Sequence, residues 1–146
     1  MDFAARFLLE NTHIRSVRGN MRLENLLALS TSRTPSAVAA QQTDGQSISY
    51  AELERYASDI AHALATLGVS PGDRVGMCVP KTIAALATVF GVMKAGAAYV
   101  PVDVSAPASR NAYIFNDCDV AAIVVDESVA DELAATFEGQ TWTRHA

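Results

Sequence analysis

The sequence has few charged residues and no cluster of basic ones. Lysine and arginine number 11 against 16 acidic residues, the net charge is -5, and charged residues make up 18% of the chain. Nucleic acids and anionic membranes attract proteins through a basic surface, so this composition argues against both as partners. With 50% hydrophobic residues, the chain is too apolar for a disordered tail and is long enough for one globular domain with a real core.

Long apolar runs and a secretory leader are also missing. The most apolar stretch, Ile83 to Met93, is framed by Lys81 and Lys94 and falls short of the about 18 apolar residues that indicate a membrane span. Residues 1–13 include Asp2 and offer no small-residue cleavage site, which argues against a signal peptide. We therefore expect a cytoplasmic protein in which Ile83 to Met93 is a buried helix.

Cysteine and histidine are too few and too scattered for a metal centre. Cys78 and Cys118 form no CxxC pair and have no histidine pair nearby, which argues against zinc and against a disulfide framework. We expect both to be buried free thiols. His13, His62 and His145 are dispersed, and we expect each to be a solvated side chain rather than a base.

Turn residues and hydrophobic periodicity divide the chain into a lead-in over residues 1–20 and one domain over residues 21–146. The lead-in shows no sustained period. The predicted elements after it are a helix from Met21 to Ser30 capped by Asn20, a strand over Ala37–Gln42, a helix from Ser49 to Leu67, a strand through Val75, Met77 and Val79, a helix over Ile83–Ala95, a strand over Ala97–Val102, a helix from Pro107 through Phe115, a strand over Val120–Asp126 and a helix over Ser128–Phe137.

Several of these boundaries have a specific chemical signature. Ser49 followed by Glu52 is a capping box, Thr82 can cap the next helix, and Gly68 and Gly96 stand where helices need a left-handed residue. Pro101 lacks the N–H of a central ladder position, so we expect the strand to be irregular or bulged there. The near-continuous apolar run "VAAIVVD" predicts a fully buried strand.

From Arg74 onward strands and helices alternate with short connections, which predicts an α/β fold with a parallel sheet and right-handed crossovers. Open parallel sheets bind ligands beyond the carboxyl ends of their strands. The loops there are Val79–Thr82, Val102–Pro107 and Val125–Ser128. They contain no glycine, and the chain has no GxGxxG, GxxxxGK[ST] or GxSxG motif, so no cradle for a pyrophosphate and no nucleophile elbow is visible.

Two weaker candidates remain in these loops, each with an ordinary alternative. Lys81 beside Thr82 at a helix start could hold a phosphate, or be a surface lysine next to a helix cap. Asp103 and Asp126, each following a strand, could form an acidic magnesium pocket, or serve as cap and turn residues.

The stretch "MKAGAAYVPVD" at residues 93–103 resembles the second core motif of the AMP-forming adenylating enzymes, a superfamily of acyl-CoA synthetases, luciferases and nonribosomal peptide synthetase adenylation domains. "ISYAEL", Ile48 to Leu53, resembles their first core motif, and Asp103, Pro107 and Arg110 are similar to the segment after the second. The resemblance runs in order from about Leu23 to Val125. Val104, where peptide synthetases usually have proline, and "VPKT", which resembles acyl-CoA ligases more, leave the subfamily open.

The resemblance implies that residues 21–146 are an N-terminal partial adenylation (AMP-binding) domain, the first subdomain of an adenylate-forming ligase. The complete enzymes use ATP and magnesium to convert a carboxylic acid to an acyl-adenylate, which a thiol of CoA or a carrier protein usually takes. The phosphate loop, the magnesium-binding acid, the ribose-binding aspartate and the catalytic lysine all follow the matched region in the family. We therefore assign no catalytic, cofactor-binding or metal-binding residue to this chain.

Three functional hypotheses follow. The first is an N-terminal fragment of an AMP-forming ligase that does not catalyse adenylation alone. The second is an interaction module that pairs with a separate remainder or another protein, and for which uncovered strand edges predict dimerisation. The third, a response-regulator-like or nucleotide-binding doubly wound domain, lacks an acidic pair at its first strand end and a glycine fingerprint.

Overall fold

The computed structural model describes residues 22–137. The elements run in the order α1 Leu23–Arg33, β1 Val38–Gln41, β2 Ser47–Ser49, α2 Tyr50–Thr66, β3 Arg74–Cys78, α3 Ile83–Lys94, β4 Ala98–Pro101, α4 Ala108–Asp117, β5 Ala122–Val125 and α5 Glu127–Ala135. β1 and β2 form an antiparallel hairpin, and β4, β3 and β5 form a parallel sheet in that order. The predicted α/β class is confirmed; the lead-in over residues 1–20 lies outside the described residues.

Helices cover both faces of the parallel sheet. On one face, Val75 of β3 and Val124 of β5 pack against Leu64 of α2 and Val92 of α3. On the other face, Phe115 of α4 and Leu133 of α5 form a cluster with Cys78. The ring of Phe115 lies over Gly76, where an added Cβ would be 2.7 Å from a ring carbon. The hairpin and α1 join a third cluster on α2 and α3.

The helix starts follow the sequence signals. Ser49 and Glu52 make the predicted capping box at α2. The Oγ1 of Thr82 accepts a hydrogen bond from the amide of Ala85 in α3. Gly68 and Gly96 have φ angles of 89° and 78°, as their positions after α2 and α3 predicted. Within α3 only Ala84 is exposed, so this helix is buried on most of its circumference, as predicted.

The prediction for α1 is only partly correct. The helix begins after Arg22 rather than Asn20, which lies outside the described residues, and it extends past Ser30 to Arg33. Of the predicted leucine stripe, only Leu27 is buried, while the remaining members are exposed: Leu23, Leu26 and Leu29. Leucines therefore occupy two faces of α1, and the structure places one face against α2 and α3.

Two strand predictions are wrong because both strands lie at sheet edges. Pro101 continues the regular register opposite Met77, and the next amide, that of Val102, donates to the Met77 carbonyl at 2.9 Å. A proline is tolerated there because its nitrogen faces away from β3. The "VAAIVVD" strand is half-buried in all four residues of β5 rather than fully buried. The central strand β3 ends at Cys78, one residue before the predicted Val79.

Candidate functional site

The three loops predicted to form a ligand site do meet at one edge of the sheet. The parallel order β4, β3, β5 places Val102–Pro107, Val79–Thr82 and the Asp126–Ser128 turn at the carboxyl ends of neighbouring strands. We call these loops the carboxyl edge.

The two aspartates of the carboxyl edge bind their own turns. Oδ1 of Asp103 accepts hydrogen bonds from the amide and hydroxyl of Ser105 at 2.9 and 2.8 Å. Oδ1 of Asp126 likewise accepts hydrogen bonds from the amide and hydroxyl of Ser128, at 3.1 and 2.5 Å. These bonds hold the pKa of both carboxyls below the usual range, and the charge of Lys81 lowers that of Asp103 further.

This geometry fits the cap and turn alternative for both aspartates. Within residues 22–137, no group of three histidine, cysteine, aspartate or glutamate side chains is arranged to hold a metal ion.

In the same part of the chain, no helix has the length and hydropathy to cross a membrane.

The start of α3, where Lys81 and Thr82 could hold a phosphate, already uses amides of its first turn. The amide of Ile83 donates to Oε1 of Gln42, in the hairpin, at 2.7 Å, and the amide of Ala85 donates to Thr82. A phosphate bound at a helix start accepts hydrogen bonds from first-turn amides that have no other acceptor. Gln42 therefore occupies a position that an anion would need. Lys81, which precedes Thr82, is exposed.

A buried polar contact beneath the carboxyl edge could not be read from the sequence. Asn111 of α4 is 2% exposed, and its Nδ2 donates to the Asp103 carbonyl at 2.9 Å and to Sγ of Cys78 at 3.7 Å. Its Oδ1 is buried and has no hydrogen-bond partner among residues 22–137. No motif indicates this residue, because it meets Asp103 and Cys78 only after α4 has packed on the sheet.

The predicted thiols are both free, but they differ in burial. Cys78 is 1% exposed, whereas Cys118, at the end of α4, is half-buried. Burial raises the pKa of the Cys78 thiol, the hydrogen bond from Asn111 opposes this increase in part, and the negative charges of Asp103 and Asp126 add to it. Cys78 is therefore held as a neutral core residue rather than a nucleophile. His62 is exposed, as predicted, while His13 and His145 lie outside the described residues.

The two recognised motifs contribute packing and turns. In "MKAGAAYVPVD", the carbonyl of Gly96 accepts from the amide of Gly72 at 2.9 Å, at the amino end of the sheet. Nζ of Lys94, in the same motif, lies 2.5 Å from Oε1 of Glu54, the residue that follows "ISYAEL". Both motifs therefore hold the scaffold together on parts of the molecule other than the carboxyl edge, except for Val102 and Asp103 at the end of the second motif.

The loops of the carboxyl edge differ in composition and hydrogen bonding from glycine-rich phosphate-binding loops. Binding the phosphates of ATP calls for free backbone amides on glycine-rich turns, cations and a magnesium-binding acid. Here the loops contain no glycine, and amides of α3 and α5 are occupied by Gln42, Thr82 and Asp126.

Residues 27–144 match the AMP-binding enzyme family. The AMB antimetabolite synthetase AmbB of Pseudomonas aeruginosa is 39% identical over 113 residues, which are 77% of this chain and 9% of AmbB. The chain thus spans about a tenth of that relative.

Two solved structures share the fold. The N-terminal domain of FACL13 from Mycobacterium tuberculosis superposes with a TM-score of 0.74 at 22% identity, over 84% of this chain and 31% of that one. The nonribosomal peptide synthetase FmoA3, in its form with bound α-methyl-L-serine-AMP, superposes with a TM-score of 0.73 at 33% identity, over 77% of this chain and 13% of FmoA3.

Proposed function

The chain belongs to the AMP-binding enzyme family, and on that premise we propose that it forms the N-terminal part of an AMP-forming ligase. In the complete enzyme, a substrate carboxylate oxygen attacks the α-phosphorus of ATP, and the bond from that phosphorus to pyrophosphate breaks. The product is an acyl-adenylate, from which a thiol of a carrier protein or CoA takes the acyl group. ATP and magnesium act in the complete enzyme, in the cytoplasm.

The role of these residues in that enzyme is to build the scaffold. The observation that carries this assignment is that polar groups of the carboxyl edge are engaged in hydrogen bonds within the scaffold. Asp103 and Asp126 accept hydrogen bonds from Ser105 and Ser128, and Gln42 accepts one from the first amide of α3. These amides and carboxylates are thus engaged within the scaffold, whereas catalysis of this reaction requires groups that stabilise charge on three phosphates. We therefore propose that the 146 residues alone do not catalyse adenylation.

Sequence identity favours a peptide-synthetase type over an acyl-CoA ligase. The nonribosomal peptide synthetase FmoA3 is 33% identical over the superposed 77% of this chain, and the anthranilate CoA ligase AuaEII is 22% identical over 80% of it. The difference in identity over the whole superposed region outweighs two local features, Val104 and "VPKT", which argue against a peptide synthetase. The substrate of the complete enzyme is then an amino acid or a related small carboxylic acid, and its acceptor the thiol of a carrier protein.

A transplant into FmoA3 tests the proposal. The FmoA3 segment that superposes on this chain is replaced by the corresponding residues of this chain, and ATP–pyrophosphate exchange is measured with α-methyl-L-serine. Because the transplanted residues supply scaffold alone, we expect exchange to survive within about tenfold of the parent and the substrate preference to stay that of FmoA3. Loss of exchange in a folded chimera, or a change of preferred acid, would show that these residues hold part of the site.

A second candidate is the interaction module that pairs with a separate partner, and exposed apolar side chains favour it. Leu23 and Tyr113 are 65% and 69% exposed. Sedimentation velocity over a wide range of concentrations distinguishes the two: a compact monomer throughout argues against this module, and a reversible dimer supports it.

A further inference from the structure

Helix α1 is held to the domain by little of its surface. Of its 11 residues only Leu27 is buried, and it packs in the cluster that α2 and α3 share. An isolated helix of this length is marginal in water, so α1 depends on the contacts that it makes. One buried side chain is a small contact for that purpose, and a second contact would stabilise the helix.

The exposed surface of α1 carries a row of leucines. Leu23, Leu26 and Leu29 are three residues apart, so they follow one another along the helix surface. They are 65%, 42% and 37% exposed, whereas Leu27 is 3% exposed. We call these three leucines the α1 row. Neighbouring exposed apolar side chains of this kind mark a surface that another segment covers.

The exposed charges around the α1 row are mainly basic. Arg22 and Arg33 stand at the two ends of α1 and are exposed. Glu24, the one acidic residue of the helix, has a side chain that is 13% exposed and pairs with Arg22 at 2.6 Å. In a chain of net charge -5, this surface is locally positive. An occupant with an apolar centre and acidic ends therefore complements it.

The chain contains such a segment upstream of α1, outside the described residues. Residues 2–10, "DFAARFLLE", place six apolar residues between Asp2 and Glu10. The connection to α1, residues 11–21, can span up to about 36 Å, whereas an 11-residue helix is about 16 Å long. The segment can therefore reach the whole α1 row. Residues 138–146 are mostly polar and match the row poorly.

We propose that residues 2–10 dock on the α1 row, with Phe3 and Phe7 covering the leucines and the two acidic residues near the arginines at the helix ends. This inference is independent of the proposed function, because it rests on residues of this chain alone. Tethering favours this occupant over a second copy, since a short linker holds a segment at an effective concentration of about 1 mM, about 100-fold above a chain at about 10 μM. The docked segment closes the α1 row to other partners.

Amide resonances of the full 146-residue chain, followed by NMR, test the proposal. Phe3→Ser/Phe7→Ser removes the apolar anchors of the segment, and Tyr113→Ser, at an exposed site on α4, is the matched control. We expect the double variant to shift the resonances of Leu26 and Leu29. It should also raise the hydrogen-exchange rates of α1 amides at least about threefold, because the helix loses its second contact. The control should change neither.

A substitution on the other side of the contact completes the test. Leu26→Ser should raise the exchange rates of α1 by a similar factor, and combining it with Phe3→Ser/Phe7→Ser should add little, because both changes remove one contact. Unchanged Leu29 resonances and unchanged α1 exchange rates in the phenylalanine variant would overturn the proposal. So would parent α1 resonances that move with chain concentration between about 10 and 500 μM, since the occupant is then a second copy.

Discussion

Lys94 and Glu54 form an ion pair between α3 and α2, with Nζ 2.5 Å from Oε1 and both side chains about four-fifths buried, at 19% and 23% exposure. The pair links the second motif to the helix that the first motif begins. The second carboxylate oxygen of Glu54 is buried and has no hydrogen-bond partner among residues 22–137, so its charge depends on Lys94.

Lys94→Met should lower the free energy of unfolding by about 1–3 kcal/mol, between the values for exposed and fully buried pairs, because it leaves the Glu54 charge uncompensated. The double variant Lys94→Met/Glu54→Leu should lose less than the sum of the single variants. Arg55→Ala is the control, since its pair with Asp59 is 74% and 64% exposed and should contribute under about 1 kcal/mol. Urea unfolding of the parent, the two single variants, the double variant and Arg55→Ala measures these losses; equal losses for Lys94→Met and Arg55→Ala would contradict the prediction.

Gly76→Ala should destabilise the sheet by about 1–3 kcal/mol, because the new Cβ would meet the Phe115 ring at 2.7 Å. Phe115→Leu alone should also destabilise, by creating a cavity, but it removes the atoms that Gly76→Ala strikes. The two substitutions together should therefore cost clearly less than their sum. Strict additivity in thermal or urea unfolding would show that the ring does not rest on Gly76.

The pH dependence of stability should report the turns of Asp103 and Asp126, whose pKa values lie below the usual range. A lowered folded pKa gives stability that is fully present above the unfolded value of about 4 and is lost as the pH falls through the folded pKa. Asp103→Asn/Asp126→Asn should therefore flatten the loss of stability below about pH 4 relative to the parent. Urea midpoints between pH 3 and pH 7 that fall in parallel for both proteins would refute this assignment.

Much of the scaffold was predictable because its signals are local. The Ser49 capping box and the Thr82 cap lie within one helical turn of their partners, so the sequence alone identifies them. The parallel sheet followed from the alternation of strands and helices. The predictions for Pro101 and for the burial of β5 were wrong for one shared reason: strand order is a property of the assembled sheet, and no local pattern shows which strands lie at its edges.

The carboxyl edge was located correctly but its hydrogen bonds were only half predictable. The Asp103 and Asp126 turns join residues two positions apart, and the turn alternative for both was already visible. The contacts that the sequence did not predict are long-range. Gln42 reaches the start of α3 from the hairpin, and Asn111 reaches Cys78 from α4, so neither has a signature in its own neighbourhood of the sequence.

Thiol modification should separate the two cysteines. Burial raises the pKa of Cys78, and a raised thiol pKa keeps the thiolate fraction low until the pH exceeds the ordinary value. With iodoacetamide at pH 8 under native conditions, Cys118 should be modified at least about tenfold faster than Cys78, followed by peptide mass spectrometry. Cys118→Ser should leave the chain almost unreactive until it is unfolded in urea. Rapid labelling of Cys78 under native conditions would mean that the packing of α4 and α5 over Cys78 opens readily.

The central claim is that these residues form a scaffold with no cradle for the phosphates of ATP, and binding of nucleotide tests it most directly. The purified 146-residue chain is titrated with Mg-ATP to about 5 mM while its amide resonances are followed by NMR. We expect no saturable shift at Lys81, Thr82 or Asp103, since the amides at the start of α3 are engaged by Gln42 and Thr82. Saturable binding centred on those residues with a Kd below about 1 mM, equivalent to about -4 kcal/mol, would contradict the account.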